Sequence, residues 1–397
     1  MEPLHLHELQ RGLSARFTEL NGMEIVADYG GWRAEHAALQ ESAGVLDLSF
    51  RSRLCLTGAD RARFLHGQVT NDVKRLQVGE GCYAALITAK GKMQSDLNIY
   101  CLKDELLLDF EPGLAETVSQ RLEKYIIADD VQVVNVAPHY GVLSVQGPKA
   151  EALIVSSALF PELPATPFDW TTRVTPELGE MYLMNQARLA TAGFDLFIPL
   201  PSLALAAEAL IRAAKESGGR FCGWTALETA RIEAGLPRFG ADMDESNIPL
   251  EAGIENRAVS FDKGCYIGQE VLSRIRTYGH VNRHLRGLLL EGGAVPLPAP
   301  RDKLFCGDKE AGYVTSACLS PKFDAGIALG YVRRGHDEPG TELTWRGANA
   351  GGHARVVELG WHGPIRPPIP GGSETRNPNL AKPEPNYGKK TGAKKYG

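Results

Sequence analysis

The sequence predicts an α+β protein with more than one domain and a small β-barrel or sandwich near its C-terminal end. Between Cys82 and Phe110, three apolar runs alternate with short turns, and helical patterns flank them at 113–125 and 203–216. From 286 to 359, short strand patterns recur between glycine-rich turns with no helical pattern among them. That spacing is typical of a small barrel or sandwich. We therefore expect at least two architectural units.

The composition indicates a folded, mildly acidic protein. Of the 397 residues, 43% are hydrophobic and 23% charged, and 43 Lys and Arg against 48 Asp and Glu give a formal charge of −5. This charge argues against a generic nucleic-acid binder, and the length exceeds the roughly 250 to 300 residues of a single core. No run approaches the ~20 apolar residues of a membrane span, and the N-terminal residues lack a signal-peptide pattern. We expect a cytoplasmic protein with no membrane partner.

Several common catalytic and metal-binding motifs are absent from the sequence. Its seven cysteines are thinly spread with no CxxC pair, which argues against a disulfide framework and a structural zinc site. No metal site is predicted. The sequence also lacks a GxGxxG after a strand, a GxxxxGK[ST], an HExxH and a GxSxG. Dinucleotide oxidoreductases, P-loop NTPases, zincins and α/β-hydrolases therefore have no support.

The middle strand of the first predicted sheet has a polar face. Asp96, Asn98 and Tyr100 alternate there with apolar residues, following the period of two. If this face lines a cavity, Asp96 offers an ionised acceptor beside amide and phenol groups, which suits a heterocycle rich in N–H donors. If the face is solvated, it has no functional meaning.

A loop at 263–268 precedes a short amphipathic helix. Cys265 lies just ahead of the predicted helix start near Gly268, and Lys263 lies two residues before it. The positive end of the helix dipole and the ammonium would both favour a thiolate. The alternative is that Cys265 is a small buried residue in a connecting loop.

A second helix, following Gly223, contains a charged residue within its apolar stripe. Thr225 and Glu228 have the spacing of a capping box, and Gly235 ends the pattern. Arg231 falls inside the stripe and must be paired, because an unpaired buried charge costs several kcal/mol. It either forms an internal salt bridge, to Glu228 or Glu233, or holds an anionic or carbonyl-rich ligand.

Two other features give weaker evidence for a function. Glu251, which follows an acidic run, offers a carboxylate to a donor-rich ligand or is a loop residue in water. The last stretch, 363–397, is rich in Pro, Gly and basic residues, so we expect a disordered tail. A solvated extension and an electrostatic tether to RNA are both compatible with it.

The segment FDKGCYIGQE resembles the signature of the YgfZ-type folate-binding proteins, the iron–sulfur-cluster maturation branch of the glycine-cleavage T-protein (aminomethyltransferase, GcvT-like) superfamily. ITAKGKMQSDLNIY resembles the central hairpin of that superfamily and FDLFIP its later strand, and the resemblance extends over about 17–359. It implies a three-lobed cloverleaf with tetrahydrofolate in a central opening. The implied divisions are a folate-binding region of two interleaved α+β lobes at 1–285, a barrel at 286–362 and the basic tail.

The resemblance also implies roles for individual residues. In the aminomethyltransferases, the aspartate at the position of Asp96 orients folate for attack on the aminomethyl carbon of a lipoyl-bound substrate. In the YgfZ-type branch, function depends on the cysteine at the position of Cys265. The glutamate that T-proteins carry after an RTGY run is missing here, where 188–193 read RLATAG. Catalysis is thus assigned to Cys265, Lys263 and Asp96, and ligand contact to Asp96, Asn98, Arg231, Glu233, Glu251, Tyr266 and Gln269.

The leading interpretation is a protein that binds tetrahydrofolate, or a one-carbon-substituted folate, and assists assembly or repair of iron–sulfur clusters through Cys265. Its partners would be iron–sulfur proteins or assembly factors. The alternative is a folate-dependent aminomethyltransferase, so whether the protein is an enzyme stays open. A third reading is a tRNA-associated binding factor without catalysis, acting through the tail.

Overall fold

The computed structural model describes residues 2–291, 296–348 and 350–360. The helices are α1 (His7–Gly12), α2 (Trp32–Glu41), α3 (Arg61–Gln68), α4 (Ala115–Glu123), α5 (Ala150–Ser156), α6 (Leu203–Ser217), α7 (Trp224–Glu233), α8 (Pro249–Ala252), α9 (Glu255–Ala258) and α10 (Gln269–Tyr278). The strands are β1 (Arg16–Leu20), β2 (Met23–Asp28), β3 (Gly44–Asp47), β4 (Ser52–Thr57), β5 (Gly81–Ile87), β6 (Met93–Cys101), β7 (Leu106–Phe110), β8 (Gln132–Asn135), β9 (Tyr140–Gln146), β10 (Trp170–Thr175), β11 (Gly179–Asn185), β12 (Gly193–Pro199), β13 (Arg220–Phe221), β14 (Arg283–Leu290), β15 (Lys303–Cys306), β16 (Lys309–Ser320), β17 (Ala325–Arg333), β18 (Glu342–Arg346) and β19 (Gly351–Val357).

Two sheets of the N-terminal region interleave along the chain. One has the strand order β10-β11-β12-β9-β3-β13, and its pair β3 and β13 is parallel. The other is antiparallel, with the order β5-β6-β7-β4-β8. Because β3 precedes the whole five-stranded sheet and β9 follows it, the chain starts one lobe, builds the second and then returns to the first.

Each sheet buries one face against helices. The six-stranded sheet is covered by α5 and α6, and the buried positions Leu203, Ala206, Leu210 and Ala214 of α6 recur at the three- and four-residue spacing of an amphipathic helix. The five-stranded sheet packs similarly on α3 and α4. The helices predicted at 113–125 and 203–216 are confirmed.

The predicted three-strand pattern is β5, β6 and β7, with ends that agree within one residue. Met93, Leu97 and Ile99 of β6 are fully buried, while Asp96 is only partly buried. The alternation in the sequence therefore separates the core face of β6 from the opposite face, on which the candidate site depends.

The C-terminal strands form a closed barrel in the order β14-β17-β16-β15-β18-β19. Its interior is filled by apolar side chains, including Leu288, Val314, Ala328 and Val356. The α+β fold class with a C-terminal barrel is confirmed. The barrel begins at Arg283, and it includes the short strand β15, which had no recognisable pattern in the sequence.

The prediction for the start of α7 is wrong. The helix begins at Trp224, so Thr225 lies in its first turn and no side chain caps it. The Glu228 carboxylate binds Arg231 instead of closing a capping box. Gly235 does end this segment, with a φ of +68° that favours glycine.

The predicted basic tail at 363–397, and with it the RNA tether, lies outside the described residues. Within the described ranges, no helix is both long and apolar enough to cross a bilayer.

Candidate functional site

A cavity of about 320 Å³ lies where the two sheets meet α7 and the segment that follows it. Its apolar wall is formed by Leu48, Pro167, Phe168, Leu189, Trp224, Leu227, Leu236 and Pro237. Its polar and charged wall includes Arg51, Tyr83, Asp96, Asn98, Glu111, Gln186, Arg188, Glu228, Arg231, Arg238 and Arg257. The volume and the mixture of apolar walls with a few polar groups are typical of a small-molecule site.

Asp96 presents a carboxylate to this cavity. The Tyr83 hydroxyl donates a hydrogen bond of 2.8 Å to Asp96 Oδ2, and no side chain in the described part of the protein donates to Oδ1. Burial, reinforced by the negative charge of Glu111, raises the pKa of Asp96 to about 6. Asp96 is therefore an acceptor with one oxygen held in place and one oxygen open to a ligand.

Within and behind the polar wall, charged side chains form one unbroken chain of alternating sign. In order, its members are Asp195, Arg188, Asp109, Arg51, Glu111, Arg238, Glu228, Arg231 and Asp242. Its short contacts include the pair of Arg231 with Asp242, Arg188 Nη2 to Asp195 Oδ2 at 2.5 Å and Arg51 Nη1 to Glu111 Oε1 at 2.6 Å. Buried charges of this number are tolerable only when each is paired in this way.

Asp96 lies outside that chain and differs from its members electrostatically. Although burial favours the neutral acid, Arg51 and Arg188 lower the pKa of Asp109 to about 2. Arg231 and Arg238 do the same for Glu228, whose pKa is also about 2. Among the described carboxylates that line the cavity, Asp96 alone forms no ion pair with an arginine.

Arg231 lines the cavity as predicted, but its donors are already used. Its guanidinium donates to Glu228 through Nε and Nη2, to Ser316 through Nη2, and to Asp242 and the Leu236 carbonyl through Nη1. A guanidinium has five N–H donors, and these contacts account for all of them. The internal salt bridge to Glu228 is thus confirmed, and these contacts leave no N–H group of Arg231 free for a ligand. That Arg231 contacts a ligand stays a prediction.

Asn98 also lines the cavity, next to Asp96 on the same face of β6. Its Nδ2 donates a hydrogen bond of 3.0 Å to Asp109 Oδ2, which fixes the amide against the ionic chain. Nearby, the Tyr100 hydroxyl donates to Gln186 Oε1 at 3.0 Å. The polar face read from the sequence therefore faces the cavity at Asp96 and Asn98, while Tyr100 is buried.

Four other predicted ligand contacts lie outside this cavity. Glu233 binds His36, with 2.7 Å between Oε2 and Nε2, and also accepts from Ser320. Glu251 accepts from Arg283 at 3.2 Å. Tyr266 packs in an apolar cluster, and Gln269 begins α10 and donates to the Lys263 carbonyl at 3.4 Å. These four residues make contacts within the protein. The sequence pattern alone does not distinguish such contacts from contacts with a ligand.

The loop with Cys265 has the predicted local structure but does not line the cavity. Cys265 is exposed, and α10 begins four residues later at Gln269. The Lys263 ammonium donates to the carbonyl oxygens of His66, Val69 and Asn71, at 2.5, 2.8 and 2.7 Å. These bonds anchor the loop to the segment after α3 and give Lys263 a structural role that the sequence did not predict. That Lys263 activates the thiol stays a prediction.

Sequence reasoning missed Tyr83, Glu111, Arg238 and Arg257 as residues of the site. One signal was available for this region: Asp109 interrupts the apolar run LLLDF, so a charge is placed inside a buried strand. Its partners, however, come from distant parts of the chain. Among the described residues, no cluster of three or more His, Cys, Asp or Glu side chains is arranged to hold a metal ion.

Comparison with known proteins identifies the family. A family model described as the GCVT N-terminal domain matches residues 6–263, and one described as the glycine cleavage T-protein C-terminal barrel domain matches residues 283–360. The chain belongs to the glycine cleavage T-protein (GcvT-like) family. Relatives of this family include an aminomethyltransferase from Halothermothrix orenii, 30% identical over 90% of this chain and 99% of its own length. An aminomethyltransferase from Halalkalibacterium halodurans is also 30% identical, over 80% of this chain and 88% of its own length.

A solved structure agrees with this family assignment at the level of the fold. The aminomethyltransferase T of the glycine cleavage system from Bartonella henselae superposes with a TM-score of 0.80, covering 90% of this chain and 97% of its own. The two sequences are 23% identical. The GcvT-like part of the resemblance is therefore confirmed. The narrower assignment to the YgfZ-type branch stays a prediction.

Proposed function

We propose that this chain binds a reduced folate in the central cavity and transfers a one-carbon unit there, as an aminomethyltransferase-like enzyme. The observation that carries this proposal is the Asp96 carboxylate, which has one oxygen bonded to Tyr83 and the other open to the cavity. The full-length similarity to relatives named aminomethyltransferase supports it.

The residues present fit a pterin. A reduced pterin is a flat heterocycle with several N–H donors, which calls for apolar walls and an ionised acceptor. Leu189, Trp224 and Leu227 supply such walls, and Asp96 Oδ1 supplies the acceptor. When bound, tetrahydrofolate supplies the amine nitrogen that receives the one-carbon unit.

Asp96 is suited to orient and deprotonate such a donor. With a pKa of about 6, it is largely ionised at neutral pH but more basic than an ordinary aspartate, and an acid–base group works best when its pKa lies near the working pH. Tyr83 fixes the direction of the carboxylate. Asp109 and Glu228 do not compete for the same protons, because their arginine partners hold the pKa values of these two acids near 2.

The Asp96→Asn variant tests this function. The amide keeps the shape but loses the charge and the basicity, so formation of 5,10-methylene-tetrahydrofolate from an aminomethyl-lipoyl donor should fall by about 10²-fold or more. The affinity for tetrahydrofolate, measured by isothermal titration, should fall less. The matched control is Asp308→Asn, an exposed aspartate outside the cavity. A wild-type rate in Asp96→Asn, or no turnover by the wild type, would remove the proposal.

A second candidate is the YgfZ-type role in iron–sulfur cluster assembly or repair, with Cys265 as the reactive thiol. It is favoured by the exposure of Cys265, since the other cysteines are buried or partly buried. It is also favoured by the sequence RLATAG at 188–193, which lacks the glutamate that T-proteins carry after an RTGY run. Asp96 and Cys265 would then serve separate functions, folate binding and thiol chemistry.

The Cys265→Ser variant tests this second candidate. In cells that lack the wild-type protein, the variant should leave folate affinity unchanged but fail to restore the activity of iron–sulfur enzymes. Cys101→Ser, which alters a partly buried cysteine, is the control. Full restoration by Cys265→Ser would exclude the thiol from the function.

A further inference from the structure

Arg257 differs from the other arginines that line the cavity. Arg51, Arg188, Arg231 and Arg238 each pair with two carboxylates of the ionic chain. Arg257 is exposed and, within the described residues, its guanidinium contacts no carboxylate. It is therefore a cation at the edge of the cavity that the protein itself does not neutralise.

The backbone around Arg257 is held in place. Asn71 Nδ2 donates to the Tyr83 carbonyl at 2.8 Å and to the Arg257 carbonyl at 3.1 Å, so a single amide joins β5 to α9. The Thr70 hydroxyl donates to the neighbouring Ala258 carbonyl at 2.6 Å. These bonds fix the short helix α9 against the sheet and so place Arg257 beside Tyr83.

The Tyr83 ring lies between the two unpaired charges of the cavity. Its hydroxyl binds Asp96, and the Arg257 guanidinium carbon lies 5.3 Å from the ring centroid, a cation–π contact. A guanidinium packed on an aromatic face keeps its N–H donors available at the edge, where they bind carboxylates in two-pronged geometry. The cavity therefore has a hydrogen-bond acceptor, the Asp96 carboxylate, beside the Tyr83 hydroxyl. It also has an anion-binding group, the Arg257 guanidinium, over the face of the Tyr83 ring.

We propose that Arg257 binds the carboxylate of the glutamyl tail of the folate and so selects glutamylated ligands. This inference rests on the proposed folate function. Because Asp96 and Arg257 lie on two sides of the single Tyr83 side chain, the folate would bind with its tail folded back across the Tyr83 ring, which brings the carboxylate to Arg257. Asn71 acts as a positioning residue for this contact.

Isothermal titration with tetrahydrofolate and with tetrahydropteroate, which lacks the glutamate, tests the proposal. The wild type should bind tetrahydrofolate at least 10-fold more tightly. Arg257→Gln should weaken tetrahydrofolate binding about 10-fold and leave tetrahydropteroate binding unchanged, which removes the selectivity. The control is Arg276→Gln, since Arg276 is also exposed and stacked on an aromatic ring, that of Phe261 at 4.0 Å, but lies outside the cavity.

The other outcomes overturn the proposal in distinguishable ways. Equal affinity of the wild type for both ligands, or equal weakening of both by Arg257→Gln, would show folate binding without tail recognition and would leave the proposed function standing. An Arg257→Gln variant with unchanged folate affinity but a raised KM for a carboxylate-bearing amine donor would assign Arg257 to that donor. Failure of the wild type to bind either ligand would overturn both the inference and the folate function.

Discussion

At the residue scale, the environment of Asp96 separates it from every other acid of the cavity. Glu111 and Glu228 each pair with two arginines, whereas the Asp96 carboxylate, among the described residues, accepts one side-chain hydrogen bond, from the Tyr83 hydroxyl. Burial therefore dominates and raises the pKa of Asp96. A carboxylate with this property costs the folded protein stability at neutral pH, which is a common feature of functional groups.

The dependence of stability on pH should reveal this cost. The pKa of Asp96 is about 6 in the folded protein and about 3.9 in an unfolded chain. Between these values the folded state binds more protons, so the contribution of Asp96 to the free energy of unfolding falls as pH rises, by roughly 3 kcal/mol in all. The asparagine of the Asp96→Asn variant cannot ionise, so the free energy of unfolding of this variant lacks that decrease. Its melting temperature relative to wild type should thus be higher at pH 7.5 than at pH 5.

Scanning calorimetry at the two pH values measures the effect, with Asp308→Asn as the control because that aspartate is exposed. A difference between Asp96→Asn and wild type that does not change with pH would mean that Asp96 titrates like an ordinary surface carboxylate.

At the element scale, periodicity predicted which face of a strand is buried in the core. It did not predict whether the opposite face contacts solvent, protein or a cavity. The alternation in β6 correctly placed Met93, Leu97 and Ile99 in the core. For α7, the apolar stripe correctly implied that Arg231 is paired, since it is 5% exposed. One partner, Glu228, lies three positions earlier and was named from the sequence. The other side-chain partners were not encoded locally, because Asp242 and Ser316 belong to a loop and to the barrel.

The loop before α10 gives a second comparison at this scale. Glycine allows a tight backbone path that a residue with a Cβ would obstruct. This holds for Gly268, whose φ is +84° and where a Cβ would lie 2.5 Å from the Thr88 carbonyl oxygen. It does not hold for Gly264, where the nearest atom to a Cβ would be His66 Nε2 at 3.7 Å. The difference depends on what packs against each glycine, which spacing alone does not specify.

At the scale of the whole molecule, the ionic chain connects the lobes. Asp195 lies on β12 of the six-stranded sheet, Asp109 on β7 of the five-stranded sheet, and Arg231 on α7. At the far end, Asp242 accepts hydrogen bonds from Thr315 and Ser316 of the barrel at 2.6 and 2.8 Å. The cavity wall and the contact between lobes are therefore the same set of buried ion pairs.

Removal of Arg51 should destabilise the protein strongly. Arg51→Met leaves Asp109 and Glu111 each without one of two cationic partners in a buried setting, and breaking such pairs costs about 3 to 5 kcal/mol. Urea unfolding measures the change. The control is Arg63→Met, whose exposed pairs with Asp60 and Asp129 should be worth about 1 kcal/mol or less. Similar losses for both variants would mean that the ionic chain does not stabilise the assembly of lobes.

The sequence by itself determined the α+β class, the run of short C-terminal strands, the core face of β6 and the position of Cys265 ahead of α10, because each follows from local periodicity or from turn and helix-start residues. The strand pattern left a barrel and a sandwich open, and the fold closes these strands into a barrel. Only the tertiary structure decided which charges are neutralised and which are left for a ligand. Arg238 and Glu111 are 127 positions apart, and Arg188 and Asp109 are 79 apart. Charge pairing acts through space between such distant residues, so the sequence could not show which charged groups are paired. The sequence identified Asp96 as a candidate, and the fold left its carboxylate without an arginine partner.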